Sequence, residues 1–256
     1  MKHLYIIGIG SGNPEHMTVQ AINALNKVDV VFVPSKGEAK AKLADVRKDI
    51  CTRYINAVGV KIIDYAVSSR DTFERSYTQS VDAWHAGIAS TYEHLLIESI
   101  PDSGTAAFLV WGDPGLYDST IRIIERVKQR GHVAFDYSVI PGITSIQALT
   151  ASHRIPLNLV GKSVQITTGR RLAESFPGLA DSAVVMLDGE QAFAKINDPD
   201  AYIYWGAYVG TSDEILIAGR LADVSNEIIA TRAAARARHG WIMDIYLLRK
   251  GHDFEE

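Results

Sequence analysis

The chain has 256 residues, 47% hydrophobic and 22% charged, which are the proportions of a folded globular protein and exclude a disordered or collagen-like one. Twenty-six Lys and Arg against thirty Asp and Glu give a formal charge of −4, which argues against a nucleic-acid partner, since phosphate backbones need a basic face. Cys51 is the single cysteine, no apolar run reaches the roughly 18–20 residues of a membrane helix, and the glycine-broken start MKHLYIIGIG does not read as a secretory leader; a cytoplasmic protein without disulfides or a membrane partner is expected.

Leu4 to Gly10 is a β-branched run ending in glycines and predicts a buried strand feeding a turn. Thr18 stands where it would cap a helix, with Val19, Ile22 and Leu25 as its apolar positions. Val28 to Pro34 is a second strand, and strand, turn, helix, strand is the opening of a parallel α/β unit. Two amphipathic helices follow, one on Ala39, Leu43, Val46, Ile50 and Tyr54, the other on Phe73, Tyr77, Val81, Trp84, Ile88, Tyr92 and Leu95. The aromatic stripe of the second predicts core or a subunit interface. Thr105 to Trp111 is a third strand, broken by Gly112-Asp113-Pro114-Gly115. A helix over Ser119 to Gln129 is stopped by Gly131, and Phe135 to Ile140 is a fourth strand broken by Pro141-Gly142.

Past Leu159 the texture changes. Val164–Thr168, Ala183–Leu187, Tyr202–Tyr208, Glu214–Leu221 and Trp241–Leu248 are strand-like, and Ala233 to Arg238 is good helix sequence. Two domains are predicted, residues 1–160 as an N-terminal α/β domain with glycine-rich loops and 161–256 as a C-terminal mixed α/β domain, linked through Arg154 to Lys162.

Several motifs are near misses. Gly8-Ile9-Gly10-Ser11-Gly12-Asn13 lacks the third glycine of the dinucleotide fingerprint, and no acidic residue ends the second strand. Gly161-Lys162-Ser163 would need a glycine at Pro156 to be a phosphate loop. The histidines do not fall at metal-ligand spacing, so no metal is expected. What remains is three glycine turns at strand ends, in the order GIGSGNPEHMT, VWGDPGLYDST and VIPGITSIQAL. They offer backbone N–H and C=O groups with little side-chain obstruction, which suits a small polar ligand.

In this order the three turns resemble the tetrapyrrole methylases, S-adenosylmethionine-dependent enzymes that methylate corrin and siroheme precursors. The family opens with a strand ending in Gly-x-Gly-Pro-Gly-Asp, then Leu-Thr and a helix. Gly8 to Thr18 matches, with Ser11 in place of the proline and Asn13 in place of the aspartate. The family's Gly-Asp-Pro turn matches Gly112 to Pro114, and its Pro-Gly-Ile-Thr/Ser segment matches Pro141 to Ser145. The stretches HLYIIGIGSGNPEHMT, ALNKVDVVFV, VVMLDG, YWGAYVGTSDEIL and HGWIMDIYLLRK further resemble the corrin branch in which methylation is coupled to release of an acetyl group.

The resemblance implies an α/β fold of two α/β domains with the ligand cleft between them, a precorrin substrate, S-adenosyl-L-methionine as cofactor with S-adenosyl-L-homocysteine as product, and a homodimer. Carried over by motif, the cofactor contacts would be Trp111, Gly112, Asp113, Tyr117, Thr144 and Ser145, with Leu187, Tyr208 and Trp241 placed at the ends of later strands. The carboxylates of a precorrin call for arginine forks, for which Arg53, Arg154, Arg170 and Arg171 are candidates. Acetyl removal needs water on the acyl carbonyl and gains from a general base, for which Glu15 and His16 of the first loop are candidates. Two other readings stay open: a family methyltransferase acting on another substrate, and a non-catalytic nucleotide-binding α/β protein.

Overall fold

The computed structural model describes residues 1–35, 41–67, 77–175 and 181–250. Its contacts divide the chain into two compact units, one over Met1–Ile143 and one from Thr144 onward.

The first unit is a five-stranded parallel sheet in the order β3-β2-β4-β1-β5. The strands are β1 (Lys2–Gly8), β2 (Val30–Ser35), β3 (Lys61–Ala66), β4 (Thr105–Val110) and β5 (Phe135–Ile140). Both faces of the central strands are covered, which is why they read as continuous apolar runs. On one face Leu4, Ile6, Phe32 and Phe108 meet α3 (Tyr77–Ser99) and α4 (Thr120–Arg130). On the other, Ile7, Ile9, Val31 and Leu109 meet α1 (Val19–Leu25) and α2 (Ala41–Tyr54).

Thr18 caps α1 as expected, its Oγ1 accepting from the Ala21 N–H at 3.1 Å. The buried face of α1 is Ala21, Ala24 and Leu25, whereas Val19, expected inside, is exposed. At 3.6 residues per turn Val19 lies about 160° around the axis from Ala21, and the two alanines set the contact. Ala39 and Phe73 fall outside the described residues. The stripe on α3 is core: Ile88, Tyr92 and Leu96 are buried, with Trp84 and Leu95 packed against the same cluster. Gly131, left-handed at φ 72°, ends α4 where the sequence placed the stop.

The second unit holds β6 (Val164–Thr168), β7 (Ser182–Met186), β8 (Ala201–Ala207), β9 (Ile215–Arg220) and β10 (Asp244–Lys250) in the order β6-β7-β10-β8-β9. Only β6 and β7 run parallel; β10 is antiparallel to both of its neighbours, β7 and β8, and β8 to β9. Trp205, Phe193, Tyr246 and Ile228 centre its core, and α7 (Leu221–His239) and α6 (Gly169–Ser175) complete it.

The contacts divide the chain after Ile143 and not at residue 160. The reason is α5 (Ser145–His153), which is bonded to the second sheet. His153 Nε2 donates to the Trp205 carbonyl at 3.0 Å, and Ser152 Oγ donates to the Glu214 carboxylate at 2.9 Å. The stretch predicted as a linker lies inside this unit, where Arg249 donates to the Pro156 carbonyl. Among the described residues no helix is long and apolar enough to cross a membrane.

Candidate functional site

Strand register brings the three glycine turns together. Gly8 pairs with Val110 on one side of β1, and Ile7 with Ile140 on the other, so three strands end side by side. Just beyond, Gly10 and Gly112 form an antiparallel bridge: the Gly112 N–H donates to Gly10 O at 2.8 Å and the Gly10 N–H to Gly112 O at 3.2 Å. A Cβ on Gly142 would lie 2.2 Å from Gly112 O, and one on Gly8 would lie 2.6 Å from Gly142 N. These glycines therefore let the turns pack on one another. That corrects the expectation that their backbone is laid bare for a ligand, because both backbone polar groups of Gly112 are satisfied within the turns.

Asp113 has a similar role. Its Oδ1 accepts from the Gly115 N–H at 2.7 Å and its Oδ2 from the Gly142 N–H at 2.9 Å. One carboxylate thus closes its own Asx turn and ties it to the third turn. Thr144 is likewise engaged, as the cap of α5. Its Oγ1 accepts from the Ile146 N–H at 3.1 Å and pairs with Gln147 in a capping box, with the half-buried Ser145 as first residue of the helix.

Trp111 and Tyr117 differ from these. The indole Nε1 of Trp111 is buried and has no hydrogen-bond partner among the described residues, while the Arg47 guanidinium lies 5.9 Å from its ring centroid. Tyr117 is left-handed at φ 51° and 46% exposed. A non-glycine residue held in this conformation costs on the order of 1–2 kcal/mol, and such costs concentrate at functional sites.

The second unit repeats both signatures. Leu187, just after β7, is left-handed at φ 54° and 67% exposed, a large apolar side chain facing solvent. Tyr208, just after β8, is left-handed at φ 51° with its ring buried. Its hydroxyl donates to the Trp241 carbonyl at 2.6 Å, and the two rings meet edge-on at 5.1 Å. Trp241 also carries a buried Nε1 with no hydrogen-bond partner among the described residues. It does not end a strand, as expected, but sits in the connection between α7 and β10, because Gly240 closes the helix one residue earlier and β10 begins only at Asp244.

A buried polar network beneath Leu187 escaped the sequence reading. Asp188 accepts from the Tyr246 hydroxyl at 2.6 Å and from the Ala192 N–H at 2.7 Å. Burial, then the bond to Asp188, raises the Tyr246 pKa far above that of a free phenol. Arg232 donates to the Asp188 carbonyl at 3.1 Å and pairs with Asp244 at 2.9 Å, and Asp244 also accepts from Trp205 Nε1 at 3.2 Å. The only signals available were an aspartate in VVMLDG and one arginine in a helix rich in them.

The acid–base candidates lie in a 3-10 turn, Pro14–His16. Glu15 is exposed, and its N–H donates to Asn13 Oδ1 at 2.9 Å. His16 is half-buried, with Nδ1 3.1 Å from the buried Ser11 Oγ. The four arginines lie on three different helices. Arg53 is exposed in the last turn of α2. Arg154 is the exposed, left-handed cap of α5, and Arg170 and Arg171 are exposed at the start of α6.

Comparison with known proteins identifies the family. A family model described as Tetrapyrrole (Corrin/Porphyrin) Methylases matches residues 3–225. The whole chain is 66% identical to precorrin-6A synthase (deacetylating) of Sinorhizobium sp, covering 98% of that protein. Over 229 residues, 88% of this chain and 90% of the relative, it is 24% identical to a probable cobalt-precorrin-2 C(20)-methyltransferase of Methanocaldococcus jannaschii. The crystal structure of a putative cobalamin synthesis related protein (CobF) from Corynebacterium diphtheriae superposes with a TM-score of 0.84 at 36% identity, covering 98% of this chain and 100% of that one. The fold is also that of the Thermus thermophilus uroporphyrin-III C-methyl transferase complexed with S-adenyl homocysteine, at a TM-score of 0.61, 17% identity and 97% of each chain. With three glycine turns locked together at the ends of a parallel sheet and a family match over most of its length, the chain belongs to the tetrapyrrole methylases.

Proposed function

We propose that this protein is the S-adenosylmethionine-dependent C-methyltransferase of corrin-ring biosynthesis that methylates precorrin-5 at C-1 and releases its acetyl group as acetate, giving precorrin-6A. Full-length identity of 66% to a precorrin-6A synthase supports the substrate, and the Thermus relative bound to the demethylated product supports the cofactor. The observation that carries the reading is local. Six described non-glycine residues are left-handed, and Tyr117, Leu187 and Tyr208, all cofactor candidates, are among them, with the substrate candidate Arg154.

When bound, S-adenosylmethionine supplies a methyl group already activated on a sulfonium. The protein's task is then alignment and exclusion of water, which suits a chain with no catalytic constellation among its motifs. Trp111 and Trp241 each hold an indole N–H with no acceptor among the described residues, and Leu187 and Tyr117 offer apolar surface. These side chains are proposed as direct contacts, with Tyr208 holding Trp241. Gly112, Asp113, Thr144 and Ser145 shape the turns around them. Arg53, Arg154, Arg170 and Arg171 are proposed for the substrate carboxylates. A cytoplasmic homodimer belongs to the same reading; since the α3 stripe is used in the core, dimer contacts fall elsewhere, and light scattering measures the mass.

The test has two parts. S-adenosylhomocysteine binding is measured by calorimetry in the native protein and in Leu187→Asn, which keeps a left-handed backbone accessible while removing the apolar side chain. Roughly tenfold weaker binding is expected, from about 1.5 kcal/mol of lost apolar contact. Incubation with S-adenosylmethionine and precorrin-5 is then followed by mass, where gain of a methyl and loss of the acetyl are expected together. A methylated product only from another precorrin would transfer the reading to that substrate.

A further inference from the structure

At the C-terminal ends of β2, β3 and β4 the first unit contains a cavity of about 190 Å³. Its wall differs from the apolar core around it: Arg47, Tyr65, Tyr92, Tyr117 and Asp118 line it together with aromatic surface from Trp84. Only Tyr117 figures among the residues expected to contact a ligand. Sites for ligands of drug size run to roughly 300–1,000 Å³, so this cavity suits one small substituent of a tetrapyrrole, with the ring left outside.

The polar lining holds donors in Arg47 and the two phenols and one acceptor in Asp118. Tyr65 and Tyr92 hydroxyls are 3.2 Å apart and Tyr92 also bonds the Thr120 hydroxyl, so three hydroxyls share two bonds and one proton of the chain is left to donate. Burial raises the pKa of both phenols, which keeps them protonated. Arg47 Nε donates to the Leu109 carbonyl at 3.0 Å, which fixes the plane of its guanidinium. Burial lowers its pKa from the ordinary value, although an arginine stays charged even so. Asp118 Oδ1 accepts from the Thr120 N–H at 2.6 Å, holding the carboxylate at the head of α4. Asp118 offsets the charge of Arg47, so the cavity has no net charge to offer a carboxylate arm. A neutral acyl arm would meet a cation, a phenol and a carboxylate without that mismatch.

We propose that this cavity takes the acetyl arm of the tetrapyrrole, with Arg47 and the Tyr65–Tyr92 pair facing the acyl oxygen and Asp118 accepting the proton of the attacking water. The inference rests on the deacetylating reading above and names the residues that would carry it. The water oxygen forms a bond to the acyl carbon and gives a proton to Asp118. Arg47 and the phenol stabilise the resulting oxyanion. Its collapse breaks the bond from acyl carbon to ring, acetic acid leaves and ionises, and the conjugated macrocycle takes the electron pair. Asp118 returns its proton to solvent. No outside oxidant or reductant is needed.

The experiment follows acetate release and tetrapyrrole mass in single turnovers of Asp118→Asn and Tyr92→Phe, with S-adenosylhomocysteine affinity measured in each. Acetate release is expected to fall by about 10²–10⁴ in Asp118→Asn, the usual worth of a general base, and by about 10²–10³ in Tyr92→Phe, the worth of one oxyanion donor. Affinity for S-adenosylhomocysteine should not change. Native rates of acetate release in Asp118→Asn overturn the proposal, and so does a loss confined to Glu15→Gln or His16→Ala, which would put the base in the first loop. Should Asp118→Asn fail to fold, Tyr92→Phe decides, because it keeps the ring in the core; undiminished release there also overturns the proposal. Native protein that binds S-adenosylhomocysteine yet never releases acetate from precorrin-5 would instead remove the parent reading.

Discussion

The two units end their strands in different ways. In the first, Gly8, Gly112 and Gly142 bring backbone against backbone, and one side chain, Asp113, spans the gap. In the second, the turn carrying Leu187 is fixed from below by buried charges: Asp188 under Tyr246, and Arg232 between the Asp188 carbonyl and Asp244. One arrangement has no room for an added atom. The other has room at Gly189, though not at Gly169, where a Cβ would lie 2.2 Å from Asp188 Oδ1, and it depends on every partner staying in place. Each should therefore fail under the substitution that the other tolerates.

The largest effect is expected at Arg232. Its side chain and that of Asp244 are 8% and 7% exposed. Arg232→Met leaves Asp244 buried without its cation, and removing one member of such a pair costs about 3–5 kcal/mol. The double variant with Asp244→Asn should regain most of this, since both charges go and the side-chain amide still offers an acceptor to Trp205 Nε1. Urea unfolding of the two variants makes the comparison. Equal losses in both would mean that the arginine acts by packing and by its bond to the Asp188 carbonyl, not through Asp244.

A smaller loss is expected from adding one methyl group to a turn. Gly142→Ala puts a Cβ 2.2 Å from Gly112 O and 2.8 Å from Gly8 C, all of it backbone with no side chain to move aside. About 1–3 kcal/mol is expected, the usual cost of overpacking, with weaker S-adenosylhomocysteine binding because the turns shift. Gly189→Ala is the matching change in the second unit, beside Asp188, where a Cβ meets nothing within 4 Å. It should be close to neutral in thermal unfolding. If both alanines cost the same, the close approach of the first three turns is not what selects glycine there.

The same contrast explains what the sequence could reveal. Backbone turns leave a mark on the chain, because only glycine fits them, and so β1, β4 and β5 with their turns were legible together with the family. β3 left no mark: it is an edge strand on which Tyr65 alone is buried, and a strand with one buried side chain shows no apolar run. The buried charges left none either, since Arg232 among exposed arginines and Asp188 beside a glycine look like surface residues until the fold surrounds them. For the same reason Arg47 does not stand out in the sequence from the exposed Arg53, six positions along the same helix. The predicted boundary at residue 160 assigns the residues of α5 to the first domain. His153 and Ser152 of this helix are instead bonded to the second.

The smallest expected effect concerns that attachment and is one of pH. Burial lowers the His153 pKa below its ordinary value of 6.5, partly offset by the bond to the Trp205 carbonyl and by Glu214. Because that carbonyl can only accept, Nε2 carries a proton, and it is burial that favours the neutral ring. A group whose folded pKa is depressed contributes stability above its unfolded pKa and loses it as the pH falls toward the folded value. The contribution of His153 is therefore complete above pH 6.5 and declines below it, as the unfolded chain takes up the proton first. His153→Gln can still donate to the Trp205 carbonyl but does not titrate. Urea midpoints for native protein and variant, measured near pH 8 and near pH 5.5, should differ less between the two conditions in the variant. Carboxylates elsewhere titrate equally in both and cancel in the comparison. An unchanged difference would show that the α5 attachment does not discriminate between the charged and neutral ring, and that its hold on the second sheet comes from Ser152 and from the apolar face of the helix.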